Sequence, residues 1–329
     1  MKAFEYASPT SAEGAVKDLA GSPSAEALSG GTDLISRMKD YVSSPARVVY
    51  LKDVKALAGI TERAGGLEIG AGTRLVDVVA NPLVKSRYPA LRQATLEVGT
   101  PQIRNMATVG GNLLQRPRCW YFRGGFGLLG IKDGKSLVRN GDNRYHSIFL
   151  TDGDALFVSP SSLAVPLIAL GAEATILGPR GTRTVPVEKL YRVPGTNDER
   201  ELTVAPGELL IKVSIPATGG KNGSYEIRQK QAHDWPLVMA ATNLIMDGDS
   251  VRDCRIVLYG VAPIPWRSEA AEKGIRGKSI SLETATSAAM AAAGGAKPLS
   301  MNGYKVALVR TAVKRALLDA VGNRYWEEA

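Results

Sequence analysis

Two short segments with paired glycines restrict what this chain can build: Ser29-Gly30-Gly31-Thr32-Asp33-Leu34 and Ala107-Thr108-Val109-Gly110-Gly111-Asn112. Each lies between an apolar run and further regular structure. Adjacent glycines let the backbone turn sharply and aim successive N–H groups into one concavity, which suits a pyrophosphate. Thr32, Thr108 and Asn112 add neutral donors without bulk. One such pair marks a turn. Two of matching composition suit a dinucleotide gripped at both phosphates and along its ribitol. Neither segment is GxGxxG and no GxxxxGK[ST] occurs, so Rossmann and P-loop sites lack support.

With 329 residues the chain is long enough for two packed units sharing a groove. Residues 10–20 read as a helix, with capping-box spacing at Thr10 and Glu13, one face of Ala12, Ala15, Val16 and Leu19, and a stop at Gly21. A strand at 27–29, a helix through Met38 and a buried strand at 48–51 make a βαβ-like opening, too short for a complete dinucleotide-binding domain. From about residue 55 a second unit follows, with a strand at 67–69, a short helix capped by Thr73 and a helix at 89–97. Residues 115–150 are rich in Gly, Arg, Lys and Asn and lack a period, which predicts an extended surface loop, functional or mobile. Regular structure resumes at 164–170, 174–177 and 209–215, and 219–223 reads as a linker. A strand at 225–228, a hairpin of 241–246 and 255–261 through Asp247-Gly248-Asp249, and two or three helices close the chain. The last, about 303–321, stripes Val306, Val309, Val313, Ala316, Leu317 and Ala320 along one side. The expected class is α+β, with domains at 1–219 (parts 1–54 and 55–219) and 220–329.

A formal net charge of +9 suits an anionic cofactor, an acidic partner or nucleic acid. Lys and Arg are dispersed and no nucleic-acid motif occurs, so that partner is not expected. Cys119 and Cys254 lack a CxxC neighbour and, with His146 and His233, read as packing or surface residues, not ligands to zinc or iron–sulfur. No nucleophile–base constellation stands out, so no catalytic side chain and no metal site are expected. The N-terminus has no signal core and no run spans a bilayer, so neither a membrane nor a membrane partner is expected and a cytoplasmic place is, export with a signal-bearing partner staying open. In the loop, Arg116, Arg118, Arg123, Lys132, Lys135 and Arg139 fit either an acidic partner or a solvated surface, and Trp120, Tyr121 and Phe122 favour an interface.

The strings SGGTDLISRMKD at 29–40 and TPQIRNMATVGGNLLQRPRC at 100–119 resemble the FAD-binding medium subunit of the xanthine dehydrogenase family, a module shared with aerobic carbon monoxide dehydrogenases and bacterial aldehyde oxidoreductases. The likeness runs on through Pro206-Gly207-Glu208-Leu209-Leu210 and Tyr225-Glu226-Ile227-Arg228. It implies a two-part FAD-binding domain of the vanillyl-alcohol-oxidase type followed by a smaller α+β domain. It also implies that Gly30, Gly31, Thr32, Asp33 and Leu34, approached by Leu28 and Ser29, wrap the pyrophosphate. Thr108, Gly110, Gly111 and Asn112, flanked by Ala107 and Gln115, would form a second clasp for phosphate and ribitol. Val98, Gly99 and Thr100 fall beside the isoalloxazine, and Leu210 against the flavin or adenine.

Three positions depart from the family. Ser162 stands where relatives carry an aspartate that bonds the cofactor. Ile227 replaces a common lysine, for which Arg228 or Lys230 could substitute. Losing both anchors would remove about 1 kcal/mol each. The subgroup sharing QRPRCWYFR holds an extra [4Fe–4S] cluster on several loop cysteines. Here only Cys119 remains, so no iron–sulfur cluster is expected in this chain. By resemblance, a large molybdenum–pterin subunit oxidises substrate, a small subunit passes electrons through [2Fe–2S] clusters, and FAD hands them to NAD+, oxygen or another acceptor. The alternatives are a scaffold subunit with weakened FAD binding and a stand-alone FAD-dependent reductase.

Overall fold

The computed structural model describes residues 1–217, 219–230 and 233–327. The opening unit is β1 (Glu5–Ala7), α1 (Ala12–Ala20), β2 (Ala25–Leu28), α2 (Leu34–Lys39) and β3 (Arg47–Tyr50), a parallel sheet ordered β1-β3-β2. Its helix starts one residue later than the capping-box spacing predicts. Ser11 is the cap, its Oγ accepting from the Gly14 N–H at 3.0 Å, and Thr10 stays outside. Ala15, Val16 and Leu19 pack with Val49 and Leu51, as the helical stripe requires.

The second unit begins with β4 (Ile60–Arg63) and β5 (Gly66–Gly70), then α3 (Leu75–Ala80), α4 (Pro82–Arg87), α5 (Pro89–Leu96), α6 (Pro101–Met106) and α7 (Val109–Leu113). Thr73 does not cap α3. Its hydroxyl meets the backbone of Gly59, and Arg74 takes the cap position. The 115–150 stretch is folded, not an extended loop. It carries α8 (Trp120–Arg123), the hairpin β6 (Ile131–Lys132) and β7 (Lys135–Ser136), and α9 (Leu137–Asn140), packed on Phe122, Leu128, Leu129, Ala155 and Phe157. Each element spans four residues at most, too short for a period to show. Gly125 to Gly130 has GxGxxG spacing, but β6 follows it and Leu128 and Leu129 are buried, so it opens no phosphate-binding helix.

Next come α10 (Ala164–Ala169), β8 (Glu173–Gly178), β9 (Gly181–Pro186) and β10 (Leu209–Ile215), in an antiparallel sheet ordered β4-β5-β10-β8-β9. Strand alternation would put residues 209, 211, 213 and 215 on one face. A bulge between Leu210 and Lys212 breaks it. Leu209 therefore packs on the first unit, and Leu210, Val213 and Ile215 all enter the second unit's core. One strand thus joins both halves.

The C-terminal domain has an antiparallel sheet of β11 (Lys221–Arg228), β12 (Pro236–Asp247), β13 (Ser250–Tyr259) and β14 (Trp266–Arg267), with α11 (Glu269–Ile275), α12 (Leu282–Ala292) and α13 (Lys305–Ala320). Asn222 and Gly223 already pair with β12, so the linker is shorter than its composition predicts. Val238, Ala240 and Leu244 face the helices, whereas Met239 and Ala241 face the core of the second unit. Both sides of the sheet are therefore covered.

Lys305, in the first turn of α13, is 1% exposed, and its Nζ donates to the carbonyls of Tyr145, His146 and Gly260 at 2.9, 2.9 and 2.7 Å. Three donors meet three acceptors and tie the 115–150 insertion to the C-terminal domain. Burial pushes this amine down to about 7 from 10.5. Lys305→Met should destabilise the chain by about 3 kcal/mol, because three buried carbonyls lose their donor; urea unfolding measures this. Between pH 7 and 10.5 the unfolded chain binds more protons at this lysine, so the group makes stability rise with pH there. The variant should lose that rise.

Candidate functional site

The two glycine segments cross. A Cβ on Gly30 would lie 2.0 Å from the Met106 carbonyl oxygen, so only glycine lets the chains pass. Gly31 follows with φ +76°, in the left-handed region. Thr108 Oγ1 donates to Ser29 Oγ at 3.1 Å and links the segments. The same oxygen accepts from the Gly111 N–H at 3.2 Å and caps α7.

Their backbone amides differ. Among the described residues, the N–H groups of Gly30, Gly31, Thr32, Asp33 and Leu34 have no protein acceptor. Those of the second segment are engaged: Val109 donates to Thr73 O, Gly110 to Ala71 O and Asn112 to Thr108 O, at 3.0, 2.8 and 2.8 Å. The Asn112 side-chain oxygen accepts from Ser161 Oγ at 2.9 Å and Leu163 N at 3.3 Å.

Two adjoining cavities run along the crossing. The first is walled by Leu28, Ser29, Gly30, Gly31 and Leu34 on one side, and by Thr108, Gly110 and Leu210 on the other. Val98, Gly99, Thr100, Ala107, Asn112 and Ser162 wall the second. Thr32, Asp33, Gly111 and Gln115 border both and form the waist of one groove. Every residue that the sequence places at the cofactor lines this groove.

Asp33 is the hub of the waist. Its Oδ1 lies 2.7 Å from Arg123 Nη2 and 3.3 Å from Arg118 Nη2, and its Oδ2 accepts from Arg37 Nε at 3.2 Å and the Arg116 N–H at 3.1 Å. Burial alone would raise this carboxyl, but the guanidiniums of Arg118, Arg123 and Arg37 outweigh it and hold it below its ordinary range. Arg116, Arg118 and Arg123 are therefore neither a free basic patch nor a solvated loop. Phe122 is also buried, with Arg116 and Arg123 over its ring, and only Trp120 of the aromatic trio is open to solvent.

Neither basic candidate near Ile227 reaches the groove walls. Ile227 packs toward the helices, Lys230 lines neither cavity, and Arg228 pairs with Glu97 and Glu226. Burial pushes Glu226 up to about 8 despite that arginine. Ser162 is 4% exposed and makes no side-chain hydrogen bond among the described residues.

Three residues read from sequence as packing or surface positions make contacts that the sequence does not announce. His233 Nδ1 lies 3.3 Å from Gly99 O and lines the second cavity. Cys119 Sγ lies 3.1 Å from His146 Nε2, so a Cys–His pair does form. They lie 27 positions apart, and the stretch between them carries no periodic signal that could have paired them.

Residues 2–218 match the family described as the FAD binding domain in molybdopterin dehydrogenase, and residues 223–320 the carbon monoxide dehydrogenase flavoprotein C-terminal domain. The aldehyde oxidoreductase FAD-binding subunit of Escherichia coli is 31% identical over 97% of this chain and 99% of its own. The carbon monoxide dehydrogenase medium chain of Hydrogenophaga pseudoflava is 28% identical over 95% of this chain and 96% of its own. A solved carbon monoxide dehydrogenase from that organism superposes with a TM-score of 0.76 at 27% identity, covering 98% of each chain.

Asp33→Asn should leave the guanidiniums without their shared counter-charge and destabilise the chain by about 3 kcal/mol. Because the native carboxyl is held below its ordinary 3.8, its contribution is present above that pH and lost as pH falls through the folded value. Acid unfolding followed by circular dichroism should show less loss on acidification in the variant.

Proposed function

Because this chain belongs to the family of FAD-binding medium subunits of carbon monoxide, xanthine and aldehyde dehydrogenases, we propose that it is the electron relay of a heteromeric molybdenum hydroxylase. A large molybdenum–pterin subunit would oxidise substrate, and a small [2Fe–2S] subunit would bring the electrons here. They would leave to NAD+, oxygen or another acceptor. No described helix is long and apolar enough to cross a membrane, and we place the complex in the cytoplasm.

The single observation that carries this reading is the row of amides from Gly30 to Leu34, unpaired among the described residues, along the groove beside a crossing that only glycine at position 30 permits. Five N–H groups without acceptors suit a pyrophosphate. When bound, FAD supplies exchange between single-electron donors and two-electron acceptors. The protein's own residues position it and exclude water.

In this reading Gly30 through Leu34 donate to the phosphates, and Leu28, Ser29 and Leu210 shape the adenine end. Gly110 and Gly111 act by leaving room, since their amides are engaged. Thr108, Asn112 and Gln115 hold the turn that carries them. Val98, Gly99, Thr100, Ala107 and Ser162 line the isoalloxazine end. The unbonded Ser162 hydroxyl and the absence of Arg228 and Lys230 from the groove walls favour a second reading, a subunit that binds FAD weakly and serves mainly to bridge its partners.

The test is a visible spectrum of the purified chain before and after adding FAD and removing the excess. Retained flavin bands support the relay. A colourless protein that takes up no FAD removes it and leaves the bridging subunit. Ser162→Asp should tighten FAD about fivefold, one added hydrogen bond being worth about 1 kcal/mol; fluorescence titration reads the difference.

A further inference from the structure

Arg200 is a cation without a counter-ion of its own. It is half-buried, and its side chain makes no salt bridge or hydrogen bond among the described residues. Its Nε is enclosed and unpartnered. Arg116 and Arg37 crowd it, while Glu201 and Glu26 offset them only in part. Burial together with Arg116 pulls its guanidinium below the ordinary range. Interior charges are ordinarily paired, so a fold that sets an unpaired guanidinium beside two others is destabilised by it.

This arginine belongs to the network around Asp33. Arg37 joins Asp33 and Glu26, Arg118 and Arg123 join Asp33, and Arg116 joins Glu201. With Arg200 the network has five guanidiniums against the three carboxylates of Glu26, Asp33 and Glu201, so two positive charges are left over. Burial lowers Arg118 as well, and Arg123 and Arg37 add to that although Asp33 opposes it. The other charged side chains of the groove do not supply this surplus. Glu208 is matched by Arg183 and Glu97 by Arg228, while Asp234 accepts from the N–H groups of Lys230 and Trp235. The amides from Gly30 to Leu34 bring hydrogen bonds but no net charge. The surplus reaches the groove through Arg37, which walls the first compartment, and Arg118, which walls the second.

We propose that Arg37, Arg116, Arg118, Arg123 and Arg200 act together as the counter-charge of the dinucleotide's pyrophosphate, Arg200 acting through space and without touching it. A pyrophosphate diester carries one negative charge on each phosphate, which matches the surplus. The inference rests on the electron-relay reading above and deepens it. The amides fix where the phosphates lie, and the network sets how tightly a doubly charged ligand is held. The insertion thereby gains a role, since Arg116, Arg118 and Arg123 come from it. Arg200 lines neither compartment. In the empty groove its charge is uncompensated, so it weakens the flavin-free chain and strengthens the loaded one.

The experiment uses the full chain, freed of flavin and titrated with FAD by fluorescence at two salt concentrations. Raising salt from about 0.1 M to about 1 M shortens the screening length from about 10 Å to about 3 Å, and wild-type affinity should fall about tenfold. Arg200→Met should weaken FAD about fivefold at the lower salt and flatten the salt dependence. Its flavin-free form should unfold at no lower temperature than wild type. Arg200→Lys should restore both affinity and salt dependence, because only the charge is needed at this position. Arg200→Met that binds FAD as tightly as wild type, or Arg200→Lys that weakens it as much as Met does, overturns the counter-charge. If Arg200→Met does not fold, the wild-type titrations decide: equal affinity at both salts overturns the proposal, and the expected fall supports it. A wild-type chain that takes up no FAD at either salt overturns the relay reading and this inference with it.

Discussion

The Asp33 carboxylate sits among three guanidiniums and a backbone amide, and the groove takes its shape from that cluster. Asp33 belongs to the first glycine segment, Arg37 to α2, and Arg116, Arg118 and Arg123 to the insertion. A buried charge is tolerated only when paired and hydrogen-bonded. The three pieces of chain are therefore held at one point, between the two compartments of the groove. Arg37 extends the network to Glu26 at 2.6 Å, and Arg116 extends it to the 3% exposed Glu201. The aspartate of the SGGTD string is thus an organiser of the site more than a ligand within it.

The mixed helix-and-strand class and the glycine crossing are legible in the sequence because both rest on local patterns, whereas Val98, Gly99, Thr100, Ser162 and Leu210 are reached only through the family resemblance. Paired glycines between apolar runs mark the crossing, and the stripe of α13 marks the helix that covers the last sheet. What escapes is set by contacts between distant residues. Nothing near Cys119 announces His146, and nothing in the basic insertion says that its arginines converge on Asp33. Composition reads the stretch as a solvated loop because its elements are too short for periodicity. Ser11 and Thr10 are both good caps, and only the backbone path chooses between them. The bulge in β10, which turns Leu210 to the same core as Val213, leaves no mark in an unbroken apolar run.

The C-terminal domain bears on the groove at a distance. Its first strand supplies Arg228, whose guanidinium binds Glu97 at the end of α5, just before the Val98-Gly99-Thr100 turn. Glu226 shares that arginine and is raised to about 8 by burial. One cation among two carboxylates holds the turn against the last domain. The sheet that carries it is fixed in turn by apolar packing on both faces. The groove walls are thus supported from both domains.

The turn around Gly110 and Gly111 has a consequence for assembly. Its amides are already bonded to the protein, and its cap is complete, so this side of the groove is finished before any ligand arrives. Only the opposite rim, with its open amides, waits for a partner. A receptor rigid on one side loses little conformational freedom when loaded, and such preorganisation favours binding. The folded chain thus holds one side of the groove in its final form and leaves only the Gly30–Leu34 rim with hydrogen-bonding capacity to spare.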